Sequence, residues 1–215
     1  LEARIEALEL AFRMQMAAPQ VMSVDDETAQ TQAAYGMEHP QAQYFGRQCL
    51  IARKLVEAGV RFVQIYSGGT SNDNSWDGHL NIKQNHSRFA LEIDQGVGAL
   101  LSDLKQRGLW DETLVVCGGE FGRTSDSQGT STGRDHNPNA FTWWFAGGGV
   151  KGGVHCGKTD EFGYKAVENR KHWHDLHATI LHLCGMDHER LTYRFNGRDF
   201  RLTDVAGEVI EEILQ

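Results

Sequence analysis

The stretch that most limits what this chain can fold into is Thr113–Ala146, TLVVCGGEFGRTSDSQGTSTGRDHNPNAFTWWFA. It reads as an apolar strand ending in two glycines and Glu120, a polar loop carrying Asp135 and His136, and a second apolar strand. Charged and ligand-type residues at the carboxyl end of a buried strand mark the place where α/β proteins hold their sites. A fold that buries this strand must therefore leave its polar end open.

The neighbouring segments suggest how. Residues 1–17 place Ile5, Leu8 and Phe12 on one helical face that Pro19 should stop, and 19–40 reads as a connecting segment with a short helix. Residues 41–58 form an amphipathic helix closed by Gly59, and RFVQIY at 61–66 follows as a strand. A long helix over 81–107 precedes the strand 111–117, whose continuous apolar run fits a central parallel strand covered on both faces. Strand, helix, strand in this order makes a right-handed crossover and puts both carboxyl ends on one sheet edge. A third strand spans 140–146, HDLHATILHLCG is a helix, Asn196-Gly197 joins a hairpin, and a last helix runs from Gly207 to Leu214.

With 215 residues, 40% of them hydrophobic and 23% charged, the chain holds enough apolar material for one substantial domain. Its net charge of -8 and lack of Lys/Arg clusters exclude a nucleic-acid partner. No apolar run is long enough to span a membrane. The four cysteines lack metal-type spacing, and three lie in apolar runs as small buried hydrophobes.

Three loops carry ligand-type residues. Asp77 and His79 stand two apart in WDGH after the 61–66 strand, and with His136 they make a two-His, one-carboxylate set of the kind that suits zinc or manganese. Taken alone, WDGH also reads as a surface loop anchored by Trp76. Glu120 either binds a metal or acts as base, or pairs with Arg123 or Arg134; Asp135 either joins His136 at the metal, orients it, or ties the loop. The histidines 172, 174, 177 and 182 read as structural or surface residues, with Asp175 as a helix cap. Thr124, Ser125 and Ser127 lie near the proposed site without any nucleophile motif.

LIARKLVEAGVRFVQIY, WDGH, DLKQRGLWDETLVVCGGEFGRT, GRDHNPNAFTWWFAGGGVKGG, HDLHATILHLCGMDHERL and YRFNGRDFRLTDV together resemble the DUF1501 proteins, over essentially the whole chain. These look like sulfatase-like members of the alkaline phosphatase superfamily, and the likeness is to their carboxyl-terminal half. The resemblance implies a three-layer α/β sandwich with a mostly parallel central sheet, residues 1–40 being a helix and connecting segment and 41–215 the sheet, metal-site loops and terminal hairpin. It implies a divalent metal, zinc or manganese ahead of calcium or magnesium, on Asp77, His79 and His136, with Glu120 in an Asp-ligand position and Asp135 as a further candidate. Phe121 stands where that superfamily has a second His ligand. The implied activity is hydrolysis of sulfate or phosphate esters of small molecules or glycans, with Arg123 or Arg134 neutralising charge and the nucleophile outside this chain. A non-catalytic scaffold and a phosphomutase-type transferase are the alternatives, and the family's usual export signal implies a periplasmic or surface location.

Overall fold

The structure is a computed structural model that describes residues 2–69, 75–127 and 132–215. The chain divides into two compact units, Leu1–Leu109 and Trp110–Gln215.

The first unit is helical, with α1 Glu2–Met22, α2 Ala29–Ala34, α3 Gln43–Glu57 and α4 Ile82–Gln106. Helix α1 does not stop at Pro19. Proline removes one backbone donor, but its carbonyl still accepts from the Ser23 amide at 3.1 Å, so the helix runs one further turn. Helix α2 opens on Thr28, whose hydroxyl accepts from the Thr31 amide at 3.0 Å. Helix α3 ends as its sequence indicates, with Gly59 at φ 86° and the amides of Gly59 and Val60 returning to Val56 and Leu55. Val24, Tyr35, Phe45, Cys49 and Leu50 form the core, against which Ile93, Val97 and Leu100 of α4 pack.

Two features lock α3 to α4. At Gly96 an added Cβ would stand 3.0 Å from the Cα of Gly46, and at Gly46 it would stand 1.8 Å from the Tyr35 carbonyl oxygen. The backbones therefore meet at a distance only glycine allows. Two turns on, Arg53 is 1% exposed. Its guanidinium donates to Glu27 and Glu57, both at 2.5 Å, and its Nε stands 3.0 Å from Asp103 on α4. Burial works against this charge, but the hydrogen bonds it donates to Glu27 and Glu57 outweigh it and hold the guanidinium protonated. Asp103 also accepts from the Tyr35 hydroxyl at 3.1 Å and from Arg107 at 2.7 Å.

The strand expected at 61–66 does not form. Val63 and Ile65 turn inward while Phe62 and Tyr66 face out at 77% and 73% exposure, but the segment joins no ladder. Without it there is no right-handed crossover among the described residues, and no common sheet edge for the carboxyl ends of 61–66 and β1, the strand over 114–118.

The second unit corrects the fold class. Its strands are β1 Leu114–Gly118, β2 Gly122–Arg123, β3 His136–Asn137, β4 Trp143–Gly147, β5 Lys158–Thr159, β6 Ala166–Glu168, β7 Thr192–Phe195 and β8 Arg198–Arg201. They pair as β1 with β4, β2 with β3, β5 with β6 and β7 with β8, every pair antiparallel. Among the described residues there is no mostly parallel central sheet and hence no three-layer sandwich. The reason lies between the strands: parallel neighbours need a crossover, usually a helix, and the described residues between β1 and β4 contain none. The β1 strand is half-buried along Leu114–Cys117 rather than covered on both faces. The Asn196-Gly197 hairpin forms as expected, both residues having positive φ, as a type I′ turn requires.

Helix α5, Trp173–Leu183, has His172 rather than Asp175 as its cap residue; Asp175, one turn in, completes the capping box by accepting from the His172 amide at 2.7 Å. The helix expected over 207–214 shrinks to a 3-10 turn, Glu211–Ile213. Side chains of α5 have taken its first donors: the Glu208 amide bonds to Asp175 at 2.9 Å and the Ile210 amide to Thr179 at 2.9 Å. Val150, Ile210 and Ile213 form the core here, with Leu114, Phe145 and Leu183 packed on it. Of the cysteines, Cys49 is buried but Cys184 is exposed, contrary to its apolar surroundings in sequence. No helix among the described residues is long and apolar enough to cross a membrane.

Replacing Arg53 with Met leaves Glu27, Glu57 and Asp103 without their shared cation, and should destabilise the first unit by about 3–5 kcal/mol. Thermal melting followed by circular dichroism measures this, and adding Glu27→Gln should recover part of the loss. Gly46→Ala should lower stability by roughly 1–3 kcal/mol through overpacking against Tyr35; an unchanged melting temperature would contradict the helix crossing described above.

Candidate metal centre

In the first unit, Asp77 and His79 lie on a tight loop held against the first turns of α4. The Gly78 amide donates to the Trp76 carbonyl at 2.9 Å and the His79 amide to the Asp77 carbonyl at 3.0 Å. These two successive three-residue turns bring the side chains of 77 and 79 together, with Asp77 Oδ1 3.1 Å from His79 Nε2. Two ligands of one tetrahedral zinc, each about 2.0–2.1 Å from it, stand about 3.4 Å apart. The pair therefore fits a shared cation with a few tenths of an ångström of adjustment. Both side chains are half-buried.

The loop is not merely anchored by Trp76, as its sequence suggests. Asn85 donates to the Ser75 carbonyl at 2.9 Å, and the His86 imidazole bonds the Trp76 carbonyl at 3.0 Å. The Trp76 indole N–H donates to the Ser67 hydroxyl at 3.0 Å, which in turn donates to Glu92 at 3.1 Å. Its ring lies 5.4 Å from both His86 and Phe89. Sequence reasoning missed Ser67, Asn85, His86 and Glu92. A signal was present: Asn85, His86, Phe89 and Glu92 recur at helical spacing, so polar groups interrupt the apolar face of α4.

In the second unit, His136 is exposed and pairs in register with Arg123 across the β2–β3 ladder. Directly opposed residues point to the same face of a pair, and so do residues two apart on one strand. Accordingly Phe121, Arg123 and His136 lie together: the Phe121 and His136 rings are 4.2 Å apart, and the Arg123 guanidinium lies 5.7 Å from the Phe121 centroid. Phe121 thus orients His136 instead of binding a cation.

The other candidates are placed differently. Glu120 is exposed and makes no hydrogen bond or ion pair to another described residue, including Arg123 and Arg134. The glycines before it serve a side chain: at Gly118 an added Cβ would lie 2.4 Å from the Trp143 indole, whose N–H donates to the Gly119 carbonyl at 2.8 Å. Asp135 is half-buried, and its backbone is paired with Thr124, whose amide donates to the Asp135 carbonyl at 3.0 Å and whose hydroxyl accepts from the Asp135 amide at 3.0 Å. Arg123 and Arg134 reach loop carbonyls, those of Arg134 at 3.4 Å and Gly133 at 2.6 Å. Thr124 also donates to the Asp126 carbonyl at 2.5 Å, so its hydroxyl is engaged in tying the loop.

The remaining histidines act structurally where their contacts are seen. His172 Nδ1 accepts from the His174 amide at 3.2 Å, His177 bonds the Trp173 carbonyl at 2.8 Å, and the buried His188 bonds the Thr203 hydroxyl at 2.9 Å.

Neither the curated proteins nor the solved structures yield a match to this chain. The family described as Protein of unknown function (DUF1501) matches residues 1–214, nearly the whole chain. The chain belongs to the DUF1501 family.

Proposed function

We propose that Asp77, His79 and His136, a carboxylate and two imidazoles, bind one divalent cation in a hydrolase of sulfate or phosphate esters. The observation that carries this reading is the Asp77–His79 pair, set 3.1 Å apart by backbone turns. Nitrogen and carboxylate donors in this ratio favour zinc or manganese over calcium or magnesium, which prefer oxygen ligands throughout. The likeness of WDGH and GRDH to metal loops of sulfatase-like proteins supports the same reading, independently of the sheet architecture.

A bound divalent ion supplies Lewis-acid polarisation of an ester oxygen. Arg123 has the second task. It shares a face with His136, which puts its positive charge on the side where an anionic ester beside that imidazole, and the charge developing on its oxygens, would lie. Phe121, stacked on His136, limits rotation of the ring. Arg134 is turned to its own loop and helps hold the His136 segment in shape. Glu120 and Asp135 are left outside the ligand set.

Calorimetric titration with zinc and with manganese should show one site that Asp77→Asn, His79→Ala and His136→Ala each weaken. The loss should exceed the roughly 10–100-fold that a residue standing behind a ligand contributes. Equal affinity in wild type and His136→Ala would sink the three-ligand assignment. In the full-length protein, hydrolysis of aryl sulfate or aryl phosphate should require the metal and vanish in His136→Ala. Arg123→Lys should lower kcat/KM by about ten- to a thousandfold with metal affinity retained.

A further inference from the structure

We propose that His86, with Asn85 beside it, is a positioning residue for the metal half-site: α4 holds the WDGH turn in its ligand-presenting shape through hydrogen bonds to loop carbonyls. The inference rests on the reading of Asp77 and His79 as ligands, and its geometry lies wholly within the first unit.

The Trp76 carbonyl oxygen has two lone pairs, and both are used. One accepts from the Gly78 amide at 2.9 Å, closing the turn that contains Asp77, and the other meets His86 Nε2 at 3.0 Å. A carbonyl only accepts, so Nε2 of His86 carries the hydrogen. One residue earlier, the Ser75 carbonyl accepts from Asn85 Nδ2 at 2.9 Å. Two consecutive loop carbonyls are thus fixed by two consecutive side chains of α4. Gly78 is buried against the same helix, where an added Cβ would stand 3.4 Å from Ile82 and 3.5 Å from Asn85.

The helix is itself positioned from its far half by Gly96 and Asp103, so the loop is referred to a fixed support. Short three-residue turns are weak in isolation, because one bent hydrogen bond opposes the entropy of fixing the backbone. An outside donor to the turn-closing carbonyl selects that geometry. In metal sites, partners behind the ligands perform this service and their loss costs affinity without touching the ion.

The test compares His86→Leu, which keeps an apolar contact with Trp76 but removes the donor, with His86→Gln, which keeps an N–H at similar reach. Hydrogen exchange is followed on peptides covering 75–80 and, separately, the interior of α4. In His86→Leu, exchange over 75–80 should rise roughly five- to tenfold while the α4 interior is unchanged, and zinc affinity should fall about 10–100-fold. His86→Gln should restore both, and Asn85→Ser should reproduce the direction of His86→Leu. Wild-type exchange over 75–80 in His86→Leu would overturn the proposal, as would loosening of all α4, which would make His86 a residue of the helix alone. Should wild-type protein bind no zinc, the metal reading falls and the exchange measurement alone decides whether His86 sets the turn.

Discussion

The close passage of α3 over α4 is the constraint on which the first unit depends. Gly46 and Gly96 let the two backbones touch, and Arg53 then binds carboxylates from the segment before α2 (Glu27), from α3 (Glu57) and from α4 (Asp103) with one guanidinium. Neither feature suffices alone. Contact between glycines supplies no cation binding, and a buried arginine is favourable only when its donors are satisfied. Together they fix the axial position of α4, and the amino-terminal half of that helix uses the resulting rigidity to carry a loop.

That division of labour along one helix explains the mixture of residues on it. Ile93, Val97 and Leu100 pack into the core. Asn85, His86 and Glu92 face the loop and spend their polar groups on Ser75, Trp76 and Ser67. Asp77 and His79 are therefore presented by a segment whose carbonyls are bonded to side chains of α4, a ligand loop carried on a helical support.

Much of the helical structure was legible in the sequence. The stretches 43–57 and 82–106 have apolar residues at helical spacing and glycine beyond their ends, and local signals of that kind survive in any context. The hairpin at Asn196-Gly197 was legible for the same reason. Strand pairing was not. The run Leu114–Cys117 is apolar enough for a central parallel strand, but an apolar run does not encode its partner, and β1 pairs antiparallel with Trp143–Gly147. The 61–66 segment alternates as a strand should, yet alternation reports which side chains face inward, not whether a neighbour bonds to the backbone. At the candidate centre the patterns of WDGH and GRDH exposed Asp77, His79 and His136, whereas the local sequence around Glu120 and Asp135 left ligand and structural roles both open. The network behind WDGH joins Ser67, Ser75 and Glu92 across separate segments, and such tertiary partners leave little trace in local pattern.

The antiparallel pairings also bear on how the second unit reaches its structure. Leu114 with Gly147 is the widest sequence separation in the four ladders among the described residues. A parallel sheet would have made each strand wait for a crossover to complete before its hydrogen bonds could form. Here every ladder closes a modest loop, with an entropy penalty that grows only slowly with length. The hairpin at Asn196-Gly197 can zip from its own turn, and β1 needs only the segment that follows it. Ladders of this span can pair before the bridge of Val150 to Leu214 closes the unit, which shortens the time for which a strand edge such as Leu114–Cys117 is open to the wrong partner.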